Sequence, residues 1–225
     1  KIHVIYIRHN NWDGIHGGNA VPDSVQEREF GHQWTADWQS WNFNSLPLDT
    51  TILKVDGTTW DNRHVWAPTV VQEGLTFYMF YAGVHVDAQQ RKTQGICLAR
   101  STDLDNWTRN ASPVWTCDSV GTWADKMQTG YPYFGQQQFR DPFVMRDPVY
   151  SGKWLMYFTT VLNGQYPNMV VGVAQTRDSL GGRWTDVGPI VATDSLHTYD
   201  PVVESPHVFN SHGRWWLFMT SSAGH

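Results

Sequence analysis

Two acidic residues of this sequence each stand in a short motif that ends in proline. Asp141 is the middle residue of Arg140-Asp141-Pro142, and Glu204 is the first residue of Glu204-Ser205-Pro206. A third motif of this form, Trp66-Ala67-Pro68, carries no acid. Two carboxyl groups in one pocket can cleave a glycosidic bond, because one protonates the leaving oxygen while another acts as nucleophile or base. The alternative is a structural ion pair inside the first motif and a solvent-facing acid in the second.

Three kinds of apolar or aromatic run recur along the chain in the same order. The run that contains a motif comes first, a strongly apolar run follows, and a third run ends near an aspartate with a tryptophan soon after. The motif runs occupy 66–71, 140–145 and 204–209, the apolar runs 3–9, 77–83, 154–160 and 215–221, and the third runs 30–38, 95–103 and 170–178. Helical periodicity is scarce, so the chain is predicted to be all-β.

The order of these runs predicts a β-propeller in which each repeat is one blade of four antiparallel strands. A β-sandwich with coincidental strand spacing is the alternative. The motif strands would be the innermost strands of consecutive blades, with their starts at one rim of the central channel. The first repeat lacks an innermost strand and the fourth ends after its second strand. About three and a half blades are therefore expected in a single domain of residues 1–225 that is truncated at both ends.

A common rim would bring Trp66, Asp141 and Glu204 together from three different blades. We expect the two carboxyl groups to face each other across a solvent-accessible pocket, close enough to act on one glycosidic bond. Arg140 could bind a sugar hydroxyl or hold Asp141, and the second role is favoured. Trp66 and Phe139 could each stack on a sugar ring or pack in the core.

The composition excludes several other classes of function. A total of 16 Lys and Arg against 21 Asp and Glu gives a net charge of −5, which argues against a nucleic-acid partner. No apolar run approaches the ~18 residues of a membrane span, so no membrane partner is expected. The ten histidines and two cysteines show no metal-binding spacing, so no cofactor is predicted. A disulfide between Cys97 and Cys117 is left open. So is the localisation, for which a secreted or periplasmic protein is favoured.

The motifs and their flanks resemble the five-bladed β-propeller glycosidases of glycoside hydrolase families 43, 32 and 68. The Arg-Asp-Pro motif that these families share is similar to FRDPFVMRDPVYSGKWLMYFT, and the Glu-(Ala/Gly)-Pro segment of family 43 to ESPHVFNSHGRWWLFMTS. The Trp-Ala-Pro-Asp pattern of family 43 resembles WAPTVVQEGLTFYMFYAG, although Thr69 replaces the Asp. A Gly-His segment of family 32 resembles FGHQWTADWQSWNFNSLPL, and the likeness covers nearly the whole chain.

The resemblance implies a role for each acid. Asp141 would be the transition-state stabiliser and Glu204 the general acid, while the nucleophile or base Asp would precede Lys1. Asp13 and Asp23 are the nearest acids to that position, and neither is assigned. Some family 43 members hold a structural calcium ion, and its ligands would lie in the same missing part of the propeller.

The function implied by the resemblance is hydrolysis of plant or microbial oligo- and polysaccharides that contain arabinose, xylose or fructose, with a carbohydrate as partner. The predicted site has Asp141 and Glu204 as catalytic residues and Trp66, Arg140 and Phe139 as substrate-binding residues. One alternative is a non-catalytic carbohydrate-binding propeller, which would lack the third acid. The other is a protein-interaction propeller with short blades, whose Gly-His and Trp-Asp dipeptides do not recur here at ~40–45 residues.

Overall fold

The computed structural model describes residues 1–8, 27–37, 50–126, 137–164, 168–192 and 202–221. In these ranges the chain consists of short β-strands, and a single 3₁₀ turn at Cys117–Ser119 is the helical element. No helix in this part of the chain is long and apolar enough to cross a membrane.

The strands form four antiparallel sheets that follow one another along the chain, and we call them blades 1 to 4. Blade 1 contains three strands, β1 (Ile2–Arg8), β2 (Glu29–Thr35) and β3 (Thr50–Lys54), paired in that order. Blade 2 contains β4 (His64–Glu73), β5 (Thr76–Val86), β6 (Lys92–Ser101) and β7 (Thr108–Arg109), and β8 (Trp115–Thr116) also pairs with β6. Blade 3 contains β9 (Phe139–Arg146), β10 (Trp154–Val161), β11 (Met169–Thr176) and β12 (Trp184–Ala192). Blade 4 contains β13 (Val203–Ser211) and β14 (Arg214–Ser221).

The strands that carry the three motifs occupy equivalent places in their blades. Strands β4, β9 and β13 each form one edge of their sheet, and each is the first strand of its blade in the described chain. β4 contacts β9 and β9 contacts β13, so the three first strands lie side by side. This is the arrangement of innermost strands around the channel of a propeller. The predicted all-β partial propeller and its innermost strands are confirmed.

The hydrophobic core lies between the blades, because each inner sheet of a propeller is covered on both faces. Phe30 of blade 1 and Tyr81 of blade 2 belong to one cluster of buried side chains. Phe80 of blade 2 and Phe158 of blade 3 belong to a second, and a smaller cluster joins blade 3 to Val203 of blade 4. Apolar residues on both faces explain why the strands read as continuous apolar runs rather than strict alternations.

In blade 2, the recurring aspartate before a tryptophan stabilises a turn. Asp103, after β6, accepts hydrogen bonds from the main-chain N–H groups of Asp105 at 2.9 Å and Asn106 at 2.8 Å. The indole of Trp107 then donates to the carbonyl of Leu104 at 2.8 Å. The equivalent tryptophan of blade 1, at position 41, lies outside the described residues.

The two cysteines are not joined in a disulfide. Cys97 and Cys117 are both buried free thiols. Burial raises the pKa of Cys97 well above its usual value and that of Cys117 to about 11, so neither thiol is a reactive nucleophile at neutral pH.

Candidate active site

The three motifs form the same β-bulge in three blades. In each motif the last two residues stand opposite a single residue of the next strand, so the ladder shifts register at this point. The bulge spans Ala67-Pro68 in β4, Asp141-Pro142 in β9 and Ser205-Pro206 in β13. Proline fits there because a bulged residue leaves the hydrogen-bonded ladder and needs no N–H.

The residue before each proline has a strained backbone. The φ angles are 46° at Ala67, 58° at Asp141 and 53° at Ser205, in the left-handed region that residues with a Cβ rarely adopt. Such a conformation persists only where the surrounding structure holds it, and it is most common at functional sites. Here it turns one residue of each innermost strand out of the regular pleat, which aims the Asp141 side chain towards blade 4.

Arg140 joins the two acids. Its guanidinium donates two hydrogen bonds to Glu204 Oε1, from Nη2 at 2.7 Å and from Nε at 3.1 Å. The same Nε lies 3.9 Å from Asp141 Oδ2, and Nη1 donates to Gln138. The Arg140 side chain is only 10% exposed, so its fork is occupied by protein partners. Holding Asp141, the favoured role, accounts for only part of the Arg140 contacts, because the closest acid is Glu204 on the neighbouring blade.

Asp141 is a buried carboxyl group with two stabilising contacts. It is 7% exposed, and its Oδ2 accepts a hydrogen bond from the main-chain N–H of Ser205 at 2.9 Å. Burial raises the pKa of Asp141, and the nearby charge of Glu204 adds to the rise. The Arg140 guanidinium and the Ser205 N–H oppose it, since both favour the ionised form.

The two acids lie close together but in different surroundings. Because Arg140 Nε is 3.9 Å from Asp141 Oδ2 and 3.1 Å from Glu204 Oε1, these oxygens are at most about 7 Å apart. The Glu204 side chain is 42% exposed, whereas that of Asp141 is 8% exposed. One carboxyl group is thus fixed and buried, while the other reaches solvent.

A solvent-accessible pocket between the two acids was expected, whereas a cavity lined by described residues lies elsewhere. It has a volume of about 500 Å³ and is lined at the far end of the β13–β14 hairpin by Phe209, His212, Arg214 and Trp216, among others. Its aromatic lining comes from both strands of blade 4. Neither Asp141 nor Glu204 lines this cavity, so the candidate site is the pair of carboxyl groups.

Trp66, the first residue of the blade 2 motif, is held by a residue from blade 1. Its indole N–H donates to Glu27 Oε2 at 2.6 Å, and its ring stacks on that of His64, with centroids 5.4 Å apart. The residue as a whole is half-buried, so part of its surface remains accessible. The second predicted aromatic residue differs: Phe139 is fully buried against Phe158 in the blade 2–blade 3 core. The sugar contact predicted for Phe139 is not available to a ring in that position.

Three residues that take part in the site are not indicated by any motif of the sequence. Gln138 contacts Arg140 from two residues before it, on the same side of the strand. Ser205 contributes its main-chain N–H, which no side-chain motif reveals. Glu27 is 39 residues away from Trp66 in the chain. Among the described residues, no group of three His, Cys, Asp or Glu side chains is arranged to hold a metal ion.

Comparison with known proteins identifies both a family and a fold. The model of the glycosyl hydrolases family 32 N-terminal domain matches residues 20–223. No curated protein matches the chain. Among solved structures, the sucrose-6-phosphate hydrolase from Lactobacillus gasseri has a TM-score of 0.65 at 12% identity, covering 87% of this chain and 34% of that one.

Two further solved structures share the fold at a similar sequence identity and TM-score. The Bombyx mori GH32 beta-fructofuranosidase has a TM-score of 0.64 at 16% identity, covering 96% of this chain and 38% of its own. The levansucrase from Gluconacetobacter diazotrophicus has a TM-score of 0.64 at 16% identity, covering 97% of this chain and 54% of its own. This chain spans between about a third and about half of the length of these proteins.

Proposed function

The chain belongs to the glycosyl hydrolases family 32 N-terminal domain family, and from this premise we propose that the protein hydrolyses β-fructofuranosidic bonds in sucrose or fructans. The observation that carries the proposal is the Arg140 side chain, which joins two acids on neighbouring innermost strands. Of the sugars that the sequence pattern implied, fructose is favoured over arabinose and xylose. The similar structures are a sucrose-6-phosphate hydrolase, a beta-fructofuranosidase and a levansucrase, which supports that choice.

In this proposal Glu204 is the general acid. Both Arg140 hydrogen bonds fall on Oε1, so a proton carried by Glu204 belongs on Oε2, from which it can pass to the glycosidic oxygen as the bond breaks. Arg140 is the positioning residue that keeps the carboxyl group in one orientation. After the leaving group departs, the same group can take a proton from the attacking water.

Asp141 is the proposed transition-state stabiliser. Its buried carboxylate accepts hydrogen bonds well, and charge developing on a sugar ring beside it would be stabilised more strongly than in water. The nucleophile or base is not assigned to any described residue. Trp66, which is half-buried as a residue, is the proposed aromatic contact for the sugar.

The proposed substrate is tested with the full-length protein and a panel of sucrose, inulin, levan, arabinan and xylo-oligosaccharides. We expect free fructose from one or more of the first three and no pentose from the last two, measured by anion-exchange chromatography. Release of arabinose or xylose alone would refute the choice of sugar. No release from any of the five would refute the proposed hydrolysis.

The proposed roles are tested with Glu204→Gln and Asp141→Asn. The first should lower kcat on sucrose by about 10³ but spare an aryl β-fructofuranoside with a good leaving group, because that aglycone departs without protonation. The second should lower kcat by about 10²–10³ on both substrates, because the stabilised charge is the same in each. Asp118→Asn, at an exposed acid of the 3₁₀ turn, is the control. Equal losses on both substrates for Glu204→Gln would contradict the general-acid role.

A further inference from the structure

Glu27 is an acid of blade 1 that the structure holds in an unfavourable backbone conformation. Its φ angle is 49°, in the left-handed region, although it is not a glycine. Two contacts fix it there: its carbonyl accepts the N–H of Val65 at 3.0 Å, and its carboxylate accepts the Trp66 indole N–H at 2.6 Å. Both contacts are made to the start of β4, so Glu27 is attached to the innermost strand of the next blade.

The location of these contacts matters because the blade 2 motif lies near the start of β4. The Ala67-Pro68 bulge is equivalent to the Asp141-Pro142 and Ser205-Pro206 bulges, and Glu204 stands directly before the last of these. Strand β4 also contacts β9, on which Asp141 lies. Glu27 therefore stands at the same rim as the proposed site, on the side opposite blade 4.

Trp66 is constrained from two directions. His64 supports one face of its ring, with an angle of 15° between the two planes, and Glu27 fixes the direction of its indole N–H. A hydrogen bond to a carboxylate is roughly twice as strong as one between neutral groups, so this contact selects one ring orientation. A ring that is fixed before the ligand arrives binds with a smaller loss of side-chain entropy.

We propose that Glu27 is a positioning residue that acts through Trp66 to form the blade 1 wall of the substrate site. This inference rests on the proposed function for its choice of ligand, a fructose-containing sugar. The wall binds the sugar before and during the reaction alike. Its loss should therefore raise KM and leave kcat nearly unchanged.

The chain offers a matched control in a second contact of the same chemistry. At the other end of β4, Glu73 accepts the indole N–H of Trp154 at 2.9 Å. Glu73→Gln weakens a tryptophan–glutamate hydrogen bond between blades 2 and 3, away from the motif rim. If general loosening of the propeller raises KM, the rise should appear in Glu27→Gln and Glu73→Gln alike. If loss of the substrate wall raises KM, the rise should appear only in Glu27→Gln.

The experiment measures sucrose hydrolysis by the full-length protein with Glu27→Gln, Glu27→Ala, Trp66→Phe and the double variant Glu27→Gln/Trp66→Phe. We expect KM to rise about fivefold with Gln and about twentyfold with Ala, with kcat within a factor of three and Glu73→Gln unchanged. In the Trp66→Phe background Glu27→Gln should have no further effect, because the donor is gone. A KM change that persists in that background would overturn the positioning role.

Binding separates this inference from the proposed function. Sucrose is titrated calorimetrically into Glu204→Gln protein with and without Glu27→Gln, which needs no turnover. A higher Kd for sucrose with Glu27→Gln supports the substrate wall even if the wild type hydrolyses nothing. In that case only the proposed function fails. If the wild type releases fructose while Glu27→Gln alters neither KM nor Kd, the inference fails and the proposed function stands.

Discussion

The pKa of Asp141 is raised by burial and lowered by two of its partners. Burial and the charge of Glu204 raise its pKa above the ordinary 3.8, while Arg140 and the Ser205 N–H limit the rise. A carboxyl group with a higher pKa in the folded state than in the unfolded state binds its proton more tightly when folded. Its ionisation therefore weakens folding, and stability falls as the pH rises from 3.8 through the folded-state pKa.

Asp141→Asn should consequently stabilise the protein at pH 7, by about 1 kcal/mol, while it reduces activity. The amide oxygen can still accept the Ser205 N–H, and no charge remains to be buried. The gain should shrink as the pH is lowered towards 3.8 and vanish below it, where the wild-type side chain is protonated in both states. Urea unfolding of both proteins between pH 3.5 and 7 measures the difference. A variant less stable than wild type at pH 7 would show that the Arg140 contact outweighs the burial.

The sequence indicates those proposed site residues that belong to local motifs and gives no sign of the others. Asp141 and Glu204 are predicted because each begins or precedes a proline bulge that recurs at the same place in a repeat, and their catalytic roles stay a prediction. The partner of Trp66 was not found, because Glu27 reaches it through the packing of two blades. Phe139 was assigned to the substrate because it is aromatic and adjacent to the motif, but the pleat turns its ring into the core.

At the scale of the strands, the pattern of runs predicted most elements to within a few residues. The motif run at 140–145 is the centre of β9, and the apolar run at 154–160 lies within β10. The bulges were not predicted, since their left-handed residues are Ala67, Asp141 and Ser205, and no glycine marks them. The strain at these positions is imposed by the fold.

Gly172 lies where strand β11 of blade 3 packs closely against two aromatic rings. A Cβ at this position on β11 would lie 2.6 Å from Phe158 Cζ and 2.6 Å from Trp123 Cη2. Such a contact is far shorter than van der Waals distance, and both rings belong to or pack against the largest core cluster. The position therefore requires glycine for space, since its φ angle is not in the left-handed region.

Gly172→Ala should destabilise the protein by about 2–3 kcal/mol, because two packed rings must move to admit one methyl group. Gly74→Ala is the matched control: its φ is 61° and nothing lies within 4 Å of the added Cβ. There only the backbone strain of about 1 kcal/mol applies. Urea unfolding measures the loss in the free energy of unfolding for each of the two variants. A smaller loss for Gly172→Ala than for Gly74→Ala would mean that the rings yield easily.

At the scale of the whole molecule, a hydrogen bond that involves an acidic side chain joins each pair of neighbouring blades. His32 of blade 1 contacts Asp105 of blade 2 at 2.8 Å, and Glu73 of blade 2 accepts the indole of a blade 3 tryptophan. Blade 4 is joined to blade 3 by Arg140 with Glu204 and by the Ser205 N–H with Asp141. The last junction includes both proposed catalytic residues, so the site also contributes to the assembly of the propeller.

The junction of blades 3 and 4 should therefore depend on Arg140 for stability as well as for activity. Arg140→Met keeps much of the side-chain volume but leaves Asp141 buried without its counter-charge, next to the like charge of Glu204. Breaking a buried pair in this way costs about 3–5 kcal/mol, mostly because the remaining charge is uncompensated. Urea unfolding at pH 7 should show this loss, together with loss of sucrose hydrolysis.

A second variant identifies the cause of that loss. In Arg140→Met/Asp141→Asn no buried charge remains, so the destabilisation should fall to less than half of that of Arg140→Met alone, a coupling that a double-mutant cycle measures. Arg177→Met is the control, because Arg177 is exposed and its Nε donates to Thr185 within blade 3 at 2.7 Å. That change should cost less than about 1 kcal/mol, as surface contacts do. If Arg140→Met costs no more than Arg177→Met, or if Asp141→Asn does not relieve its cost, the uncompensated charge is not what destabilises the junction.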